Sequence, residues 1–312
     1  MQTNRLPHAA ALLVFTAVVW GAMFAVAKSA LTVLDAFWVS ALRYIPAALI
    51  MLAILWMFEG RRALLPGPAA MKLWFFGSLG FAGFSILGFL GLSRSRPEHA
   101  AIIVSLMPLV TALVDWLVRG RWPSATTLAA TLVALVGAAL VITKGHWRTA
   151  AETTLGADAL VLAGVVCWVA YTMGASTLPA FSTLRYTAHS MAHGAVTITV
   201  VTLVASLAGV AHPPAWSTVW SVGGEIAYLS LLGGVLAVLA WNRGVGALGA
   251  VNAVLFINLV PITAFVIGIL QGHRFRAIEF VGTALVIGAL LVNNAANRGW
   301  RARNLARRPK YA

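Results

Sequence analysis

Apolar positions along this chain come in long unbroken runs separated by short polar punctuation. A helix rises 1.5 Å per residue, so a run of about 20 residues crosses a hydrocarbon core about 30 Å thick. Backbone in lipid has to satisfy its own hydrogen bonds, which makes helices the default for such runs. A membrane barrel would show alternating segments of about ten residues, and these runs do not alternate. The pattern predicts helices at 8–28, 36–58, 71–92, 98–118, 125–143, 157–176, 187–210, 224–241, 248–270 and 277–296. The breakers agree: Pro66-Gly67-Pro68 falls in the second loop, Pro97 opens the fourth helix, Pro123 precedes the fifth and Pro213-Pro214 follows the seventh. The expected class is an all-α integral membrane protein with ten transmembrane helices.

Arg5, the run His8–Ala27 and the small residues Ala25-Val26-Ala27 resemble a secretory signal. The run is longer than a usual signal core, and removing it would destroy the repeat described next, so it is read as the first helix. Ser105-Leu-Met-Pro108-Leu-Val-Thr-Ala-Leu is echoed by Asn258-Leu-Val-Pro261-Ile-Thr-Ala-Phe. Gly120 and Gly272 follow those prolines at similar distances, Leu135-Val-Gly137 is echoed by Val286-Ile-Gly288, and Trp20 by Trp168. This predicts two five-helix repeats, 1–150 and 151–297, followed by a basic tail, 298–312. An odd number of helices per copy makes the second enter the membrane from the opposite side. Such inverted repeats are typical of carriers that expose one site alternately to each side.

Composition sharpens this picture. The 312 residues are 61% hydrophobic and 10% charged, against about 25% charged in a soluble domain. The formal charge of +14 invites a nucleic-acid reading, but much of the excess lies between Arg298 and Lys310, as in a cytoplasmic flank facing anionic lipid. With the N-terminus inside, the inner side holds fourteen Lys and Arg and the outer side seven; without the tail the score is eight to seven. The expected location is the plasma (inner) membrane with both termini cytoplasmic. The single cysteine, Cys167, excludes an internal disulfide and a Cys-rich metal motif.

Leu12-Leu-Val-Phe-Thr-Ala-Val-Val-Trp20-Gly21-Ala-Met-Phe resembles the first helix of the EamA family in the drug/metabolite transporter superfamily. Ala41-Leu-Arg43-Tyr-Ile-Pro-Ala-Ala-Leu is similar to its second helix, Ala100-Ala-Ile-Ile-Val-Ser-Leu-Met-Pro108-Leu to its fourth and Val260-Pro261-Ile-Thr-Ala to its ninth. Within the family the likeness is to YddG-type amino-acid exporters. The resemblance implies a central cavity and export of metabolites, often amino acids, or of toxic compounds. Members often carry Gly-Glu after helices 4 and 9, where this chain has Gly120-Arg121 and Gly272-His273. That departure leaves any role of those acids in doubt.

The candidate cavity-lining residues are Trp20, Arg43, Ser85, Trp168, Tyr171, His189, Asn252, Phe256 and Asn258. Trp20 and Trp168 offer two equivalent aromatic faces, and Tyr171 shares a helix face with Trp168. Arg43 lies within a helix, where a guanidinium faces protein or water. It either grips a solute carboxylate or is tied to neighbouring carbonyls, and its recurrence in the family favours the second. Asn252 and Asn258 offer donors and acceptors to a zwitterion, or bond across helices. Ser85 and the glycines Gly77, Gly80, Gly83, Gly88 and Gly91 permit close helix contact. His189 and His193, four apart, form at most half of a metal site; a polar seam is the preferred reading. Asp115 is expected to pair with Arg119. The shortage of deep acids favours facilitated, downhill export over proton antiport. No cofactor, metal or nucleic acid is expected; the partners are a small solute and the bilayer, and the expected state is a monomer. A membrane-embedded lipid-modifying enzyme and a channel are the competing classes.

Overall fold

A computed structural model describes residues 5–120, 122–144, 151–248 and 253–306. Asn252 and Arg121, both singled out above, lie outside them, as do Arg148 and the last six residues of the tail.

Every regular element among the described residues is helical. In chain order they are α1 (Arg5–Ala30), α2 (Ala36–Glu59), α3 (Ala70–Gly77), a π-helical segment Ser78–Gly83, α4 (Phe84–Arg94), α5 (Pro97–Ser105), α6 (Met107–Arg119), α7 (Ala125–Thr143), α8 (Ala151–Gly174) and α9 (Thr183–Leu207). There follow α10 (Trp216–Ser221), α11 (Gly223–Ala227), a second π-helical segment Tyr228–Leu236, α12 (Ala237–Leu248), a 3₁₀ turn Val254–Asn258, α13 (Leu259–Leu270) and α14 (Ala277–Ala306). Starts are set by polar caps. Asp35 accepts from the Phe37 and Trp38 amides, Ser124 from that of Thr127 and Ser182 from that of Arg185. Gly120, left-handed at φ 67°, ends α6.

Among the described residues, seven stretches are long and apolar enough to cross a membrane: Pro7–Ala30, Ala36–Glu59, Arg61–Arg94, Ala125–Thr143, Thr154–Thr177, Thr183–Leu207 and Gly223–Leu248. The pair α5–α6 makes an eighth, bent by 46°, and Phe256–Leu270 and Ala277–Asn293 are shorter apolar helices. The bend has a plain cause. Pro108 lacks an amide hydrogen and its ring crowds the carbonyl four residues back, that of Val104, so regular winding fails around Leu106. Pro261 stands in the same relation to Ile257, and there the chain winds as a 3₁₀ turn before α13. The two π-helical segments also fall in corresponding places of the two halves. Sequence periodicity read each of these interrupted helices as one regular rod. It also missed α10, whose Trp216 and Trp220 are about three-quarters exposed.

The outward faces are apolar, as a lipid-facing surface requires: Leu49, Met57, Leu132, Leu203, Leu207 and Leu270 are all exposed. Hydrogen bonds sort the connections into two ends. Ser182 donates to Glu59, Arg185 to the Leu65 carbonyl at 2.8 Å, Arg119 to Ser176 at 3.2 Å and Thr127 to Asn293 at 2.9 Å. These contacts gather one end, here called proximal. Ser29 donates to Glu225 at 3.0 Å, the His212 amide to Asp35 at 2.9 Å and Arg96 to Glu279 at 3.0 Å at the other, distal end. Exposed tryptophans mark both: Trp56, Trp74 and Trp122 proximally, Trp216 and Trp220 distally. Amphipathic rings settle at such lipid–water boundaries.

Candidate functional site

Between the helices lies a cavity with two connected lobes that share Trp20, Phe81, Met107, Trp168, Val238 and Ile257. The deep lobe adds Met23, Phe24, Arg43, Tyr44 and Phe84. The wide lobe adds Thr111, Tyr171, Thr172, Thr183, Trp241 and Asn242. Thr172 and Thr183 are exposed, so the wide lobe reaches the proximal surface.

Irregular elements of both halves contribute to these walls beside the regular helices α1, α2, α8 and α9. Phe81 comes from the first π-helical segment and Gly233 from the second. Met107 stands at one proline break and Ile257 at the other. π-helical turns are rare and concentrate at functional sites. The two indoles are held differently. Trp20 donates from Nε1 to the Gly233 carbonyl at 3.2 Å and packs 5.5 Å from Trp241. Trp168 sits in an aromatic cluster with Phe84 at 5.2 Å, Tyr171 at 5.2 Å and Phe81 at 5.9 Å. Tyr171 stacks on Tyr186, whose hydroxyl donates to the Tyr171 carbonyl at 2.7 Å.

Arg43 borders the deep lobe and is 3% exposed. Its guanidinium lies 4.6 Å from the Tyr44 ring centre and 5.6 Å from that of Phe89. Nε and Nη1 are buried and have no hydrogen-bonding partner among the described residues.

Of the other candidates, Ser85 donates to Ser40 at 2.9 Å and joins α4 to α2. His189 bonds the Ala63 carbonyl through Nε2 at 2.8 Å, and His193 Nδ1 bonds the His189 carbonyl at 2.7 Å. His189 therefore anchors the turn after α2, while His193 bonds within its own helix. Phe256 is half-buried and Asn258 buried, both beside the cavity wall formed by Ile257 and Val260. Asp115 and Arg119 pair at 3.0 Å near the proximal surface. Sequence reasoning missed Phe81, Phe84, Met107, Trp241 and Ile257. The paired prolines carried a signal for two of them, since Met107 and Ile257 stand at the breaks the prolines impose.

The distal end is shut. Lys28 at the end of α1 donates to the carbonyls of Leu92 at 2.9 Å, Ser93 at 2.8 Å and Ser95 at 2.8 Å. It thus caps α4, where a cation meets the negative end of the helix dipole. Beside it Ser95 donates to Asp158, and His99 lies 3.6 Å from the same carboxylate. Glu98 pairs with His273 at 2.8 Å and Arg96 at 3.4 Å. At the proximal end α8 and α12 face each other across the open wide lobe.

A bundle of apolar helices around a cavity that reaches one surface and is sealed from the other is the architecture of a multi-pass membrane transporter. The chain belongs to the EamA-like transporter family, in the drug/metabolite transporter superfamily, which matches it twice, at residues 8–143 and 155–295. It is 32% identical to the uncharacterized transporter YrdR of Bacillus subtilis (strain 168) over 89% of this chain and 88% of that one. It is 31% identical to YyaM of the same organism over 93% and 92%. A probable terminal-alkyne amino-acid exporter of Streptantibioticus cattleyicolor is 24% identical over 72% of this chain and 73% of that one. One crystal structure shares the fold with a TM-score of 0.63 at 20% identity, over 93% of this chain and 97% of its own.

Proposed function

We propose that this transporter exports small metabolites, amino acids first and among them aromatic and hydrophobic ones, by alternating access around the central cavity. The observation that carries the reading is the cavity's construction from matching irregular elements of both halves, with its proximal end open and its distal end latched. Ten membrane crossings in two upside-down five-helix repeats, split near residue 150, account for this matching. Both termini then lie on one face, the cytoplasmic one, in the plasma (inner) membrane, and the basic tail from Arg298 meets anionic lipid there. A monomer suffices, because the cavity is complete within one chain. The aromatic lining suits apolar and aromatic side chains, and the exporter from Streptantibioticus cattleyicolor, named for an amino acid, points the same way.

Among the described residues the lining contains no Asp, Glu or His, which favours downhill export without proton exchange. A second reading, proton antiport, draws on the buried acids Glu98 and Asp158 at the distal latch. Counterflow in proteoliposomes tests the first: preloaded amino acid is expected to accelerate uptake of labelled amino acid. No acceleration across a broad panel would remove amino acids as the solute. Uphill accumulation driven by an imposed pH gradient would establish the second reading instead.

A further inference from the structure

Arg43 is a buried cation facing the deep lobe without an anion. The chain has eight acidic residues, and the seven whose side chains are described are engaged elsewhere. Asp35 caps α2, Glu59 binds Ser182 and Asp115 binds Arg119. Glu98 binds His273, Asp158 binds Ser95, Glu225 binds Ser29 and Glu279 binds Arg96. Arg43 instead rests on two aromatic rings with Nε and Nη1 unsatisfied. Around it the deep lobe is apolar: Trp20, Met23, Phe24, Phe81, Phe84 and Trp168. A desolvated guanidinium with open donors is suited to a planar carboxylate, which it grips in bidentate fashion. A single cation fits a monoanion; a phosphate dianion would keep an unneutralised charge, since no second Lys or Arg lines this lobe among the described residues.

Resting on the exporter reading, we propose that the protein recognises apolar monocarboxylates through Arg43, and that a solute's amino group contributes nothing to binding. No carboxylate lines either lobe among the described residues to receive an ammonium. Gly233, where an added Cβ would lie near Arg43, gives its carbonyl to Trp20. An ammonium therefore loses its water without gaining an acid, while a carboxylate gains the guanidinium. The solute class extends beyond amino acids to aromatic and aliphatic carboxylic acids of the same shape.

The test uses the purified full chain and three probes of one shape: L-phenylalanine, 3-phenylpropanoate without the amine, and 2-phenylethylamine without the carboxylate. Binding by calorimetry and exchange in proteoliposomes are both read. The expected order is 3-phenylpropanoate at least as tight as phenylalanine, with 2-phenylethylamine at least ten-fold weaker. Arg43→Gln is expected to erase the preference for the acid and Arg43→Lys to retain part of it, each checked for folding by its melting temperature. Equal or tighter binding of the amine overturns the proposal. So does a folded Arg43→Gln protein that keeps the preference, or binding of none of the three at millimolar concentration. Exchange of 3-phenylpropanoate without exchange of any amino acid would sink the amino-acid reading and leave this one standing.

Discussion

At the scale of single residues, the cavity combines aromatic faces with one buried charge, that of Arg43. Trp168 presents its ring to both lobes within a cluster of three other aromatics. Removing it deletes apolar contact with the solute, so Trp168→Ala is expected to weaken binding by about 2 kcal/mol, roughly thirty-fold in Kd. Trp168→Phe keeps a ring and is expected to lose less than ten-fold, while Ser85→Ala, outside the lining, leaves Kd unchanged; calorimetry with a bound solute reads all three. The two tryptophans were legible in sequence because the repeat offset pairs them. Phe81, Phe84 and Trp241 were not. In a helix apolar all round, periodicity does not say which face meets the cavity and which meets lipid. His189 and His193 shared a polar face as expected, but their hydrogen bonds go to the Ala63 and His189 carbonyls. Glu98, Asp158 and Glu279 lie near helix starts, where the sequence pattern alone assigns them no partner. Packing of the two halves against each other buries them, a contact no local pattern encodes.

At the scale of elements, close-packed regular helices frame irregular ones. α7 and α14 meet backbone to backbone: a Cβ on Gly137 would sit 2.6 Å from the Gly282 carbonyl, and one on Gly282 would press on that of Gly137. This small-residue contact lies away from the cavity lining and serves as a buttress. Gly137→Val is expected to destabilise the fold by about 1–3 kcal/mol, seen as a lower melting temperature, with Kd for solute unchanged in the folded fraction. The cavity is lined by the regular helices α1, α2, α8 and α9 together with helices interrupted by Pro108, by Pro261 and by the two π-helical segments. The prolines and glycines were visible in sequence. The π-helical winding was not, because hydrophobic periodicity does not distinguish it from regular α-helix. Lys28 acts at this scale too, as a clasp from α1 to the end of α4. Losing charge-assisted bonds of this kind shifts the balance toward a distal-open state by about 2 kcal/mol, roughly thirty-fold. Lys28→Met is therefore expected to raise labelling of a cysteine placed at Phe24 by a reagent confined to the distal side.

At the scale of the molecule, the two halves are alike in elements and unlike in contacts. α1 clasps α4 at the distal end, whereas the corresponding helices of the second half, α8 and the span ending in α12, stand apart around the open lobe. Exchanging these two arrangements between the halves opens the distal end and closes the proximal one. That exchange is the proposed transport step, and it needs no element beyond those present. Paired spin labels measure it directly in a Cys167→Ser background, with one pair at the exposed Thr32 and Arg94 distally and another at the exposed Ser176 and Arg243 proximally. Adding solute is expected to populate a state in which the Thr32–Arg94 distance lengthens while the Ser176–Arg243 distance shortens. Distances that stay fixed with bound solute, or that lengthen together at both ends, would contradict the account.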